Sequence, residues 1–261
     1  MTDRLRGVLV LAALFALLPI ATACDRGVVT ERPVVLEALH HDPDAFTQGL
    51  VWDDGVFLES TGRYGRSDLR EVDARTGEVI RSRPLAANEF GEGLAQVGDR
   101  LIQLTYREGV AHVYDRETFE VVGRFRYDGE GWGLCYDGED LWMSDGSATL
   151  TRRDPETFAV RGRLDVTRSG SPVRRLNELA CVGDEIYANV WTTTDIVRIG
   201  TADGRVRAVI DASALVPADA RVRADPDAVL NGIAYDAALD RFFLTGKLWD
   251  VMYVVRFERS P

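Results

Sequence analysis

Glu92 stands between two glycines in the stretch Phe90-Gly91-Glu92-Gly93-Leu94, a setting that neither a strand nor a common turn calls for. Held in a pocket, such a carboxylate can accept a proton and return it. Lys247 is the only lysine of the chain. A bias towards arginine accounts for the other basic residues but leaves this one ammonium without a compositional reason. Gln48, Trp132, Asn177 and Asn231 each open a segment built like the one Glu92 opens. Carboxylate, amides, ammonium and indole together suit acid–base chemistry on a small ligand, with aromatic walls and a few convergent polar groups.

The segments that must position these residues share one grammar: QGLVWDDGVFLEST, EGLAQVGDRLIQLTY, WGLCYDGEDLWMSDG, NELACVGDEIYANVW and NGIAYDAALDRFFLTGK. Each reads as a short apolar strand, a tight turn rich in Gly and Asp, and a second strand. Between them lie further strand pairs, LREVDARTGEVI, AHVYDRETFEVV, LTRRDPETFAVR and IVRIGTADGRVR. The repeat starts fall 44, 40, 45 and 54 residues apart, with no sustained helical periodicity between them. That spacing predicts an all-β, five-bladed β-propeller; a β-sandwich of this length would not need five copies of one unit. The fifth unit stops after its third strand, MYVVRF, whereas an unpaired extended stretch runs from Val28 to Leu39. The N-terminal strand is therefore expected to close the ring by completing the last blade. A single propeller domain should span residues 28–259.

In such a ring the start of each inner strand meets the end of its hairpin partner on one face. Gln48, Glu92, Trp132, Asn177 and Asn231 should gather at the channel mouth, with Glu59, Tyr106, Asp145, Trp191 and Lys247 nearby. As a mouth residue, Glu92 is expected to be solvated and of little consequence for folding. Ordinary structural roles compete: blade-to-blade packing for Trp132 and Trp191, turn capping for Asn177 and Asn231, and a turn position for Asp145. His41, before Asp-Pro, reads as a local turn anchor.

Composition removes several function classes. The formal charge of −11 argues against nucleic acid, whose phosphates call for a basic patch. The three histidines have no metal or triad spacing, and no phosphate loop or EF-hand loop occurs. Residues 1–23 have the layout of an export signal, with Arg4 and Arg6, an apolar run from Val8 to Ile20, then Ala21-Thr22-Ala23. Ala-Thr-Ala-Cys also reads as a lipobox ending at Cys24, so ordinary cleavage and lipid anchoring both stay open. The mature chain is expected in the periplasm or outside the cell, touching membrane only through Cys24, and as a monomer. Cys135 and Cys181 are either buried thiols or one bridge.

With those residues in hand, the chain resembles the plant and bacterial glutaminyl-peptide cyclotransferases, a family of five-bladed propellers unrelated to the zinc enzyme of animals. The likeness runs from about His41 to Trp249 through HDPDAFTQGL, FLESTGRYGRSDLREVD, EFGEGL, LIQLTY, VYDRETFEVV, EGWGL, MSDGS, LNELACV, YANVW, VLNGIAYD and TGKLW. It implies that Glu92 is the catalytic acid/base and that Phe46, Gln48, Phe90, Trp132, Asn177, Trp191 and Lys247 line the pocket. One departure is Tyr106, where the family usually has tryptophan: the aromatic wall shrinks and gains a hydroxyl. The implied reaction converts N-terminal glutamine of peptides or proteins to pyroglutamate and releases ammonia. In it Glu92 shuttles the proton and Asn177, Gln48 or Lys247 donates to the carbonyl oxygen. The chemistry calls for no metal or organic cofactor. Two other functions compete: a non-catalytic exported binding module, for which a proton-shuttling carboxylate would be superfluous, and a lactonase-like hydrolase whose ion Glu92, Glu59 and Asp145 would hold.

Overall fold

A computed structural model describes residues 27–260, and the stretch read as an export signal and Cys24 lie outside the described residues. Each repeated segment folds as the inner hairpin of a blade. The inner pairs are Thr47–Asp53 with Val56–Thr61, Gly91–Val97 with Arg100–Thr105, and Leu134–Tyr136 with Leu141–Met143. Leu176–Val182 with Glu185–Val190 and Leu230–Asp236 with Arg241–Gly246 complete the set. The intervening pairs supply the two outer strands of the first four blades, all antiparallel. Their turns are set locally. Asp73, Asp115 and Asp154 each accept hydrogen bonds from the backbone N–H groups two and three residues on, the Asx geometry that reverses the chain.

Blade five closes as expected. Val29–His40 pairs antiparallel with Val251–Arg259, the third strand of that blade. The same N-terminal strand also pairs in parallel with Val206–Asp211, the outer strand of blade four, through Val29, Thr30 and Glu31. It therefore joins blades four and five into one eight-stranded sheet. The longest repeat interval holds a short 3-10 turn (Ser213–Leu215) and a short helix (Ala220–Ala224), between blades four and five.

Apolar side chains pack between neighbouring blades, as with Leu104, Ala111 and Met143, all buried between blades two and three. Towards the axis the inner strands approach so closely that in four of the five blades the position after the strand-opening residue is glycine. A Cβ on Gly93 would lie 2.6 Å from the carbonyl carbon of Gly133 in the next blade. Gly49, Gly93, Gly133 and Gly232 hold this position in four blades, and Glu178 holds it in the fourth. The Glu178 carboxylate accepts from Leu50 N at 3.2 Å and from Ile233 N at 2.7 Å, tying blade four to blades one and five.

Two sequence expectations are settled or corrected here. Cys135 and Cys181 form a disulfide between the inner strands of blades three and four, with Cα atoms 5.5 Å apart. Closing a loop with ends 46 residues apart restricts the unfolded chain by about 4 kcal/mol in the chain-entropy picture. His41 is no local turn anchor. Its buried ring meets the Trp249 carbonyl through Nδ1 at 2.8 Å and Glu59 through Nε2 at 3.1 Å, linking the first loop to the last hairpin.

Candidate active site

Four of the five residues that open the inner strands line one pocket: Gln48, Glu92, Trp132 and Asn177. Phe46 and Phe90 enter from the loops just before the inner strands of blades one and two. Tyr106, Trp191 and Lys247 follow directly on the second strands of blades two, four and five, and Asp227 completes the lining. The empty space over these residues, open solvent at the mouth included, is about 560 Å³. The nine residues given a catalytic or pocket-lining role from the sequence and the resemblance are therefore brought together.

Glu92 forms the floor and is only 5% exposed, not solvated as its mouth position suggested. Burial pushes its carboxyl well above the ordinary range; Lys247 pulls the other way, while Glu130 and Glu108 add to the rise. The flanking glycines have a steric reason, since a side chain on Gly91 would meet the Thr61 carbonyl and one on Gly93 the next blade. The bare backbone lets the inner strand lie close to both neighbours while Glu92 alone projects into the channel. Gln48 Nε2 donates to Glu92 Oε1 at 3.1 Å. Asn231 Nδ2 donates to Gln48 Oε1 at 3.3 Å and to the Thr47 carbonyl at 2.9 Å. Because Asn231 claims the amide oxygen of Gln48, the Gln48 NH₂ is turned towards Glu92.

Lys247 is buried at the side of the pocket, its Nζ 4.8 Å from the centroid of the Phe46 ring. Burial lowers its pKa to about 8, against the raising effect of Glu92 and Asp227. Neither the Lys247 ammonium nor the Asn177 side-chain amide has a hydrogen-bond partner among the described residues, so both are free to donate to a ligand. The walls are aromatic. Trp132 and Trp191 meet edge to face at 5.5 Å, and Phe90 contacts Phe46 at 6.1 Å and Tyr106 at 5.8 Å. Trp132 is seated by Gly146 of the MSDGS motif, where a Cβ would come within 2.6 Å of the indole and where φ is +77°. Its Nε1 donates to Glu130 at 3.1 Å. The Tyr106 hydroxyl, the departure from tryptophan, accepts from Arg107 Nη2 at 2.9 Å.

Three mouth candidates are placed elsewhere. Asn231 sits behind Gln48 as a support, fully buried. Glu59 is enclosed with His41, Thr47 and Arg70; although burial opposes its charge, His41 and Arg70 bring its pKa below the ordinary range. Asp145 is an exposed turn residue that accepts from Ser147 N. The three carboxylates that a lactonase-like site would bring to one ion thus lie apart. Asp227 escaped the sequence reading because it belongs to the segment between blades four and five rather than to the repeat.

A family model described as glutamine cyclotransferase matches residues 9–257. The chain belongs to that family. It is 41% identical over 234 residues to the glutaminyl-peptide cyclotransferase of Arabidopsis thaliana, covering 89% of this chain and 73% of that one. The crystal structure of Myxococcus xanthus glutaminyl cyclase superposes with a TM-score of 0.85 at 41% identity, over 90% of this chain and 100% of that one. The five-bladed architecture and its closure accordingly belong to a glutamine cyclotransferase.

Proposed function

We infer that this chain is a glutaminyl-peptide cyclotransferase that works through the Glu92 pocket, turning the N-terminal glutamine of a peptide into pyroglutamate. Family membership and the two relatives indicate the activity. The observation that carries the residue assignment is a buried carboxylate at the pocket floor with a free ammonium and a free amide in the same lining.

The α-amine must lose a proton before it attacks the side-chain amide carbon. An α-amino group has a pKa of about 7.7–8, and a carboxylate raised by burial is closer to that value than an ordinary one, which favours the transfer to Glu92. As the new carbon–nitrogen bond forms, the amide oxygen gains negative charge, and Asn177 Nδ2 and Lys247 Nζ donate to it. Gln48, committed to Glu92, positions the carboxylate rather than holding the oxyanion. Protonated Glu92 then delivers its proton to the departing nitrogen, the oxyanion collapses, the old carbon–nitrogen bond breaks and ammonia leaves. The ring nitrogen gives up its second proton to Glu92, and ammonia, the stronger base, carries that proton away as ammonium. The indoles of Trp132 and Trp191 with Phe46, Phe90 and Tyr106 fold the glutamine side chain back towards its own amine. The disulfide and the layout of residues 1–23 support export to an oxidising compartment, with a monomer acting there, either free or lipidated at Cys24.

Incubation of the purified protein with a dipeptide that begins with glutamine tests the reading: ammonia should be released as the primary amine disappears. A folded protein that releases no ammonia from such a dipeptide would overturn it.

A further inference from the structure

Asp227 is the second carboxylate of the pocket lining, and its surroundings differ from those of Glu92. It is exposed at the rim. Its position is fixed by backbone bonds: its N–H donates to Asp225 Oδ1 at 2.9 Å, its carbonyl accepts from Val229 N at 2.8 Å, and the Val229 carbonyl accepts from Lys247 N at 2.9 Å. The turn that carries Asp227 is thereby tied to the backbone of the pocket lysine. Arg63, stacked 4.6 Å from the Phe46 ring centroid, pairs with Asp225 at 3.8 Å and holds the same turn to the loop of blade one.

The other acids near the mouth are already engaged. Glu108 accepts from the Tyr64 hydroxyl and Phe90 N, and Glu130 accepts from Arg107 and from Trp132 Nε1. The Asp227 carboxylate has no hydrogen-bond or ion-pair partner among the described residues; it acts on Lys247 only at longer range. In the proposed function, on which this inference rests, the glutamine occupies the pocket with its amine and amide at Glu92. The peptide must therefore leave through the mouth, and its second residue passes the rim.

We propose that Asp227 is a specificity-determining residue that favours peptides with a basic side chain directly after the glutamine and disfavours an acidic one there. Two unit charges several ångströms apart in a water-like dielectric change an affinity by about threefold. Exchanging a cation for an anion counts that effect twice, so about tenfold separates the two substrates. An exposed charge is screened, and the preference should shrink with salt.

The test compares kcat/KM for the tripeptides Gln-Arg-Ala, Gln-Ala-Ala and Gln-Glu-Ala in wild type, Asp227→Asn and Asp227→Lys, at low and high sodium chloride. In wild type the Arg peptide should exceed the Glu peptide about tenfold at low salt, mainly through KM, and the ratio should fall towards one at high salt. Asp227→Asn should reduce the low-salt ratio severalfold, and Asp227→Lys should reverse it. A wild-type ratio near one at low salt, or the same ratio in wild type and Asp227→Asn, overturns the proposal while leaving the cyclotransferase reading intact. Because the wild-type ratio and its salt dependence need no variant, a variant that fails to fold does not shield the idea. Absence of turnover with all three peptides would sink the proposed function, and this inference with it.

Discussion

Glu92 and Glu178 occupy adjacent repeat positions on the inner strands of blades two and four, and burial pushes both carboxyls well above the ordinary range. Their oxygens are used differently. Both oxygens of Glu178 are taken by backbone N–H groups of two other blades, and it does not line the pocket. Glu92 has one donor, Gln48, and otherwise faces the pocket. A displaced carboxyl pKa therefore does not by itself mark a catalytic group. What distinguishes the two is whether lone pairs remain for a ligand. Glu59 sharpens the contrast: equally buried but paired with His41 and Arg70, it titrates on the low side.

The strongest way to break this comparison is to remove the charge of Glu92 while keeping its shape. Glu92→Gln should lower kcat for a glutamine-initiated dipeptide by roughly 10²-fold to 10⁴-fold, the usual contribution of a general acid/base. Turnover within about threefold of wild type would remove Glu92 from that role and erase the difference from Glu178.

The same exchange at Glu178 should act on stability. As a carboxylate Glu178 presents one acceptor oxygen to Leu50 N and the other to Ile233 N, whereas glutamine presents one acceptor and an NH₂ that opposes the other N–H. Glu178→Gln should cost about 1–3 kcal/mol, a melting-temperature loss of roughly 2–4 °C for each kcal/mol in a domain of this size. Its kcat should change far less than that of Glu92→Gln. An unchanged melting curve would mean that the two inter-blade hydrogen bonds contribute nothing.

The smallest expected effect is on the pH dependence of stability, where the two residues should behave alike. Each is held above its unfolded value, so the unfolded chain releases the proton first. The stability contributed is full below about pH 4.3, the ordinary glutamate range, and is lost as pH rises through the folded value. Above the ordinary glutamate range and below the region where Lys247 titrates, wild type should lose stability as pH rises, both groups contributing in the same direction. Denaturant unfolding across that window should show a shallower fall in Glu92→Gln, with the fall due to Glu178 remaining. Parallel curves for wild type and Glu92→Gln would show that Glu92 titrates alike in both states.

By itself the sequence determined the number of blades, the order of their strands and the closure by the N-terminal strand, because these follow from repeated local patterns: alternating apolar strands, Asx turns and a unit one strand short. It also marked Gln48, Glu92, Trp132 and Asn177, since a propeller brings equivalent repeat positions to one face and a residue that departs from its repeat stands out. Phe46 and Phe90 carried no such signal and came from the resemblance alone. Only the tertiary structure decided which polar residues face the pocket and which turn away, placing Asn231 behind Gln48, Glu59 against His41 and Asp145 in a surface turn. It also decided that Glu92 is buried, that Cys135 meets Cys181, and that Asp227 reaches the rim. Each of these depends on contacts between residues far apart in the chain, where burial and the competition for hydrogen-bond partners set the outcome, and neither is encoded in local spacing.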